Sequence, residues 1–424
     1  MAATQHDLRT RLYRFFIFAN TRFVYGFCCF LDLGSFRYVQ SSGRVKKYHT
    51  PWQWVVMAVF IKLLLFALEA PYIFMCGGMM YFFFFKDSSE FNDNTTYQWM
   101  QMLAEEAMAF VSTARLIYIS HNSTYCEFFT LAVNKVLEMH RLVRRIFGDA
   151  QLYLDDSLLV VFLLKVFLTF HHIAAQYTPT EKHFILVRYH TLNVILFEIF
   201  YSAYFLYQLL LLGWQRSLLG FLDTHLALKQ PRRALSLKCH KRITCVFSIY
   251  AKIAKIHLLV SSAWLKVSSM LFICVYYTAH ESTYTVYCLF SWSQLSIMKR
   301  AEVLLLKKMG SFLYPLVGIL LMGMASDRMK FLEAQLCERI FLVELVHAKE
   351  DTKISNEVSR LISCKNESFQ QQRLSIPMRN FMWNRGSICD RDLVFDMFVY
   401  LFINATTYLQ FLISDNSSLC AEVL

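Results

Sequence analysis

Seven stretches of this chain run for about the 20 mostly apolar residues that a helix needs to cross a bilayer, and no other feature limits its fold as strongly. They fall at 52–75, 98–119, 155–177, 191–213, 262–284, 309–327 and 393–414. Lipid offers a backbone no hydrogen-bond partners, so segments of this length must satisfy themselves as helices. Charged residues make up only 17% of the chain, against about 25% in soluble domains. With 12 Gly and 6 Pro, it is also too poor in turn residues for a loop-rich β protein. The expected class is an all-α membrane protein with seven transmembrane helices. Two boundaries stay open. The aromatic run 81–85 suits an interfacial girdle continuing the first span. The apolar stretch 285–306 either extends the fifth span or competes with the sixth.

Flanking charge sets the expected orientation, because cytoplasmic loops are enriched in Lys and Arg. Residues 1–50 hold eight basic residues against two acids, and residues 86–97 hold one against three. Residues 214–257 hold nine against Asp223 alone, and residues 328–391 hold eleven. The heavily basic stretches are the N-terminus and the even-numbered connections, which predicts a cytoplasmic N-terminus and an extracellular C-terminus. Lys299, Arg300, Lys307 and Lys308 run against that majority. The expected organisation is a cytoplasmic N-terminal segment over 1–51 and helices one to six over 52–327. Cytoplasmic loops lie at 120–154 and 214–261, and a cytoplasmic helical linker over 328–392 precedes the seventh helix at 393–414. An extracellular tail over 415–424 closes the chain. Leu332, Leu336, Ile340, Val343 and Val346 form an apolar stripe at helical spacing. They predict long helices that continue into a cytoplasmic bundle, with an amphipathic surface helix as the alternative.

Several function classes lose support. The net charge of +12 is spread between apolar runs rather than along one polar face, which does not suit nucleic acid. The twelve Cys show no C-x-x-C and no zinc spacing, so neither a metal nor a cofactor is expected. No phosphate loop, dinucleotide fingerprint, nucleophile elbow or H-E-x-x-H occurs, and no enzyme is expected. Arginines at 9, 11, 14 and 22 break up the N-terminus, which does not read as a cleavable signal.

Polar groups inside the spans are the candidate functional residues. An ionised side chain at mid-membrane costs about 2.5–3.5 kcal/mol on insertion scales, so each one present needs a reason. Glu105, Lys165 and Glu198 lie deepest. They either pair for structure or form polar features of a ligand cavity. His171, His172, Tyr177, His190, Asn193, Tyr276, Tyr277 and His280 gather towards the predicted outer face. Convergent aromatic and polar groups of that kind suit a small-molecule pocket, although for any one of them an interfacial aromatic belt is the simpler account. Asn94 and Asn416 begin sequons on the predicted outer side and are candidate glycosylation sites.

The stretch 404–415, NATTYLQFLISD, lies within the seventh span. Its Asn404 and Tyr408 have the spacing of the switch in rhodopsin-like receptors but lack the proline that kinks that motif. Its Gln410-Phe411, together with the N-terminal RFVYGFCCFLDLGSFRYVQSSGRVKKYHTPWQW and the inverted seven-span topology, resembles the insect gustatory receptor family, relatives of the insect odorant receptors. That family's seventh helix carries Thr-Tyr, five apolar residues and Gln-Phe. Here Ile403-Asn404 stands at the Thr-Tyr positions, so half of the signature is missing.

The resemblance implies a plasma-membrane taste receptor that works as a ligand-gated, non-selective cation channel opened by external small-molecule tastants. It implies a homo- or hetero-tetramer of related receptors in the lipid bilayer, with a pore lined by helix seven and Gln410 and Phe411 at the outer gate. A bitter-type rather than a sugar receptor is the subtype that fits its divergence. A G-protein-coupled receptor and a secondary transporter are the alternatives.

Overall fold

The computed structural model describes residues 15, 18–26, 36–47, 56, 59–60, 63, 123–147, 155–176, 184–225, 245–257, 259–260, 307–347, 399, 403 and 406. Of these, 92% are helical. The elements are strands β1 (Phe36–Val39) and β2 (Arg44–Lys47) and helices α1 (Ser123–Phe147), α2 (Asp156–Gln176), α3 (Phe184–His225) and α4 (Lys307–His347). A further helical stretch covers 245–257.

Helix α2 begins where its sequence tells it to. The Asp155 carboxylate accepts the Leu158 backbone N–H at 2.9 Å and the Ser157 hydroxyl at 2.7 Å, while its carbonyl accepts the Leu159 N–H at 3.0 Å. That is an N-cap, and it satisfies amides that the helix itself leaves without partners. The helix then covers nearly all of the predicted third span. Helix α3 contains the whole predicted fourth span, and α4 contains the sixth. Both run on well past the predicted membrane edge as single helices, with Leu336 and Ile340 of the linker stripe buried. In the predicted loop 120–154, α1 buries Ala132, Met139 and Val143. Arg144 and Arg145 in its last turn complement the negative end of the helix dipole.

Helix α3 is the hub, with Trp214, Phe205, Leu212 and Leu218 almost wholly buried. Helix α4 packs along both α2 and α3, and α1 packs on α3 and β2. Two ion pairs mark the register. Arg328 of α4 meets Asp155 at the start of α2, and Arg339 of α4 meets Asp223 near the end of α3, each at 3.0 Å. These pairs are partly exposed, so they contribute little energy and mainly report alignment. The start of α2 and the end of the predicted sixth span therefore lie at one level.

The all-α expectation needs one amendment. Residues 36–47 form an antiparallel hairpin, with Tyr38 opposite Val45 and Val39 opposite Arg44. Aromatic and β-branched residues favour the strands, and Gly43 closes the turn with φ +57°, a conformation glycine adopts without penalty. Asn134 of α1 holds the hairpin by its backbone. Its amide oxygen accepts the Val45 N–H at 2.7 Å, and its amide nitrogen donates to the Val45 carbonyl at 2.8 Å.

Candidate functional site

Helix α2 is built inside out relative to a helix of a soluble protein. Val160, Leu163, Leu164, Phe167 and Phe170 recur at helical spacing and are exposed, Phe167 at 64% and Phe170 at 69%. Lys165, Thr169 and His172 on the same helix are buried. In water this arrangement is doubly unfavourable, since each large apolar side chain is worth about 1.5–3 kcal/mol when withdrawn from it. In lipid the exposed apolar face costs nothing, and the polar residues gain by turning inward to one another. Among the described residues, the 19-residue stretch Asp156–Ala174 of this helix is long and apolar enough to cross a membrane.

The buried polar face of α2 meets α3 and α4 in one cluster. Lys165 donates to Oε2 of Glu198, with the two side chains only 2% and 9% exposed. The Lys165 ammonium also lies 4.0 Å from the centre of the Tyr201 ring, whose π-face attracts a cation. Thr169 has one hydroxyl proton and two acceptors within reach, the Lys165 carbonyl at 3.0 Å and Glu198 Oε1 at 3.4 Å. The shorter contact, bonding back along the helix, is the better one. Next along the buried face, His172 stacks on Tyr314 of α4 with ring centres 4.7 Å apart. Gly318 of α4 closes the cluster, because a Cβ there would sit 3.4 Å from the Tyr201 ring and 3.8 Å from Lys165 Cε. Lys165 follows Asp155 by ten residues, about 15 Å along the helix axis, which is half of the roughly 30 Å hydrocarbon thickness.

Such a pair is electrically neutral as a unit and is held by three helices. Its contacts tie α2 to α3 through Lys165 and Glu198 and to α4 through His172 and Tyr314. Of the sequence-predicted residues, Lys165 and Glu198 are brought together and His172 lies on the same buried face. His171 is half-buried, 6.2 Å from the Phe167 ring. His190 and Asn193 lie on the first part of α3. Glu105, Tyr177, Tyr276, Tyr277, His280, Gln410, Phe411, Asn94 and Asn416 lie outside the described residues. Sequence reasoning missed Thr169, Tyr201, Tyr314 and Gly318. The first two were legible in principle, since Thr169 follows Lys165 by four positions and Tyr201 follows Glu198 by three, the spacings that share a helix face.

A second polar set joins α3 and α4 to the 245–257 stretch near the predicted inner end of the fourth span. His257 stacks on Tyr207 and shares a hydrogen bond with it at 3.2 Å, and burial pushes its imidazole pKa down to about 4. Tyr250 reaches Glu333 of α4 at 3.4 Å and Cys337 at 3.6 Å. Burial first, then the neighbouring carboxylate, raises its phenol well above the usual range.

No family model matches the chain. Over 421 residues it is 24% identical to gustatory receptor-like 43a of Drosophila melanogaster, which covers 96% of this chain and 92% of that protein. The chain is thus similar along nearly its whole length to an insect gustatory receptor-like protein. The similarity covers enough of the chain to take in the helices of the buried cluster together with the basic hairpin.

Proposed function

We propose that this gustatory receptor relative is a chemosensory membrane receptor that works as a ligand-gated, non-selective cation channel opened by external small-molecule tastants. The observation that carries the receptor reading is the similarity to a gustatory receptor-like protein along nearly the whole chain. The exposed apolar stripe of α2 supports its place in a membrane. The level shared by Asp155 and Arg328 supports the predicted threading, in which the third span starts and the sixth ends on the same side.

The channel step rests on the Gln410-Phe411 resemblance. Four Phe411 rings around a pore would block ions by dewetting, and a ring of Gln410 amides would help hydrate a cation once the ring widened. A tastant opens such a gate by binding the open state a few kcal/mol more tightly than the closed one.

The test is whole-cell current in cells expressing the chain with related receptor subunits, under a panel of plant alkaloids and sugars and with G-protein signalling blocked. Gln410→Ala and Phe411→Ala should alter leak or ion selectivity without changing surface expression. A C-terminus found on the cytoplasmic side, or responses that disappear with G-protein block, would overturn the channel reading in favour of a coupled receptor.

A further inference from the structure

The hairpin over 36–47 carries an unusual distribution of charge. Its register sets Arg37 opposite Lys46 and Val39 opposite Arg44. Side chains alternate along a strand, so Arg37, Arg44 and Lys46 share one face while Tyr38 and Val45 share the other. Val45 is buried against α1, where Asn134 grips its backbone, so the three basic residues point away from the helix, and all three are exposed. Like charges set directly opposite each other on a strand pair destabilise it.

Helix α1 places further basic residues beside this charge. The contact runs from Val45 at Asn134 to Gly43 at Arg141, where a Cβ would meet the guanidinium at 2.9 Å. The turn therefore points towards the C-terminal end of α1, where Arg144 and Arg145 are also exposed. The acid within this stretch of α1, Glu138, is paired with Lys135.

The location supplies the anion. Phe147 at the end of α1 packs edge-on against Phe221 of α3, with ring centres 5.3 Å apart. Seven residues earlier on both helices, between the Asn134 and Arg141 contacts of the hairpin, Trp214 of α3 donates to His140 of α1 at 3.4 Å. Trp214 lies about 24 Å along the axis past Glu198, whose partner Lys165 is about 15 Å from the start of α2, so this level is about 9 Å beyond the inner edge. Headgroups occupy roughly 5–7 Å of that distance, and the Debye length at physiological salt is about 8 Å. The hairpin itself ends five residues before the predicted first span, which tethers it to the same surface. We propose that the hairpin and the end of α1 form a binding surface for the headgroups of anionic phospholipids in the cytoplasmic leaflet, centred on Arg44, Lys46 and Arg141. The proposal rests on the cytoplasmic orientation of the N-terminus adopted above. It gives the hairpin a role in seating the first span and the α1 bundle on charged membrane.

The experiment titrates the purified full chain, in neutral detergent, with short-chain phosphatidylserine and short-chain phosphoinositide. Short-chain phosphatidylcholine and inorganic phosphate serve as comparisons. The anionic lipids should bind and the other two should not. Each basic residue near a membrane surface contributes about a fivefold factor. Arg44→Gln with Lys46→Gln should therefore weaken binding about 25-fold, with melting in neutral detergent unchanged. Lys252→Gln with Lys255→Gln removes equal charge from the exposed side of the 245–257 helical stretch and should leave binding within twofold. Equal affinities for the wild type and the hairpin variant, equal loss in both variants, or binding of phosphate alone would overturn the proposal. Accessibility of an N-terminal tag in intact cells reports the orientation separately, so failure of that premise is distinguishable from failure of the site.

Discussion

Replacing Glu198 with leucine should be among the most damaging single changes in the described part of the chain. The substitution keeps the volume similar but leaves the Lys165 ammonium buried among α2, α3 and α4 with its carboxylate partner gone. Removing one partner of a buried pair costs about 3–5 kcal/mol, because the remaining charge is desolvated without compensation. Lys165→Met should cost about the same, for it strands the carboxylate. The Tyr201 face offsets part of the first loss, on the order of 1–2 kcal/mol when desolvated, so Glu198→Leu should be the milder of the two. The double variant behaves differently. Exchanging a buried ion pair for apolar residues of similar size is often neutral or even stabilising. The assay is thermal unfolding of the full chain in detergent, followed by the loss of the monodisperse peak. For a chain of this size about 1–2 °C per kcal/mol is expected from the size scaling, so each single variant should melt about 4–8 °C lower. The double should return to within about 3 °C of the parent. If the double variant lost the sum of the two single losses, the residues would not be coupled and the paired geometry would be wrong. If the double variant were stable but lost its response to every tastant, the pair would belong to recognition as well as to packing.

Two further outcomes follow from other contacts. Asn134→Ala removes both amide bonds to Val45, at about 0.5–1.5 kcal/mol each, so about 2 kcal/mol in all; limited proteolysis within 36–47 should accelerate while α1 stays intact. His257 has its folded pKa lowered from 6.5 to about 4, so its neutral form stabilises the native state above about pH 6.5 and that stability is lost as the pH falls towards 4. The loss should be on the order of 2–3 kcal/mol by pH 4, and His257→Phe should flatten the melting profile across that window.

Much of this architecture was legible from local sequence. Apolar length marks a spanning helix because the bilayer fixes how long an apolar run must be, and 155–177 accordingly became α2 with its cap at Asp155. The stripe through Leu332, Leu336 and Ile340 pointed to helix beyond the predicted sixth span, and α4 runs through it to His347, because helical spacing is written in consecutive residues. The hairpin was harder to see. Its strands are four residues each, too short for alternation to stand out from a basic turn, and its partner Asn134 lies 89 positions away.

Composition and flanking charge also told that Lys165 and Glu198 needed a reason to exist, and the cost of a lone charge in lipid made pairing one of two answers. Only the tertiary structure chose between partners, because Glu105 had the same claim on Lys165 by sequence as Glu198. The structure set Thr169 and Tyr201 around the pair and brought Gly318 of α4 against it from over a hundred residues along the chain. A chain's own periodicity records which face of a helix avoids lipid. Which face it meets is a property of the packed bundle, whose register the contacts of Arg328 with Asp155 and of Arg339 with Asp223 report.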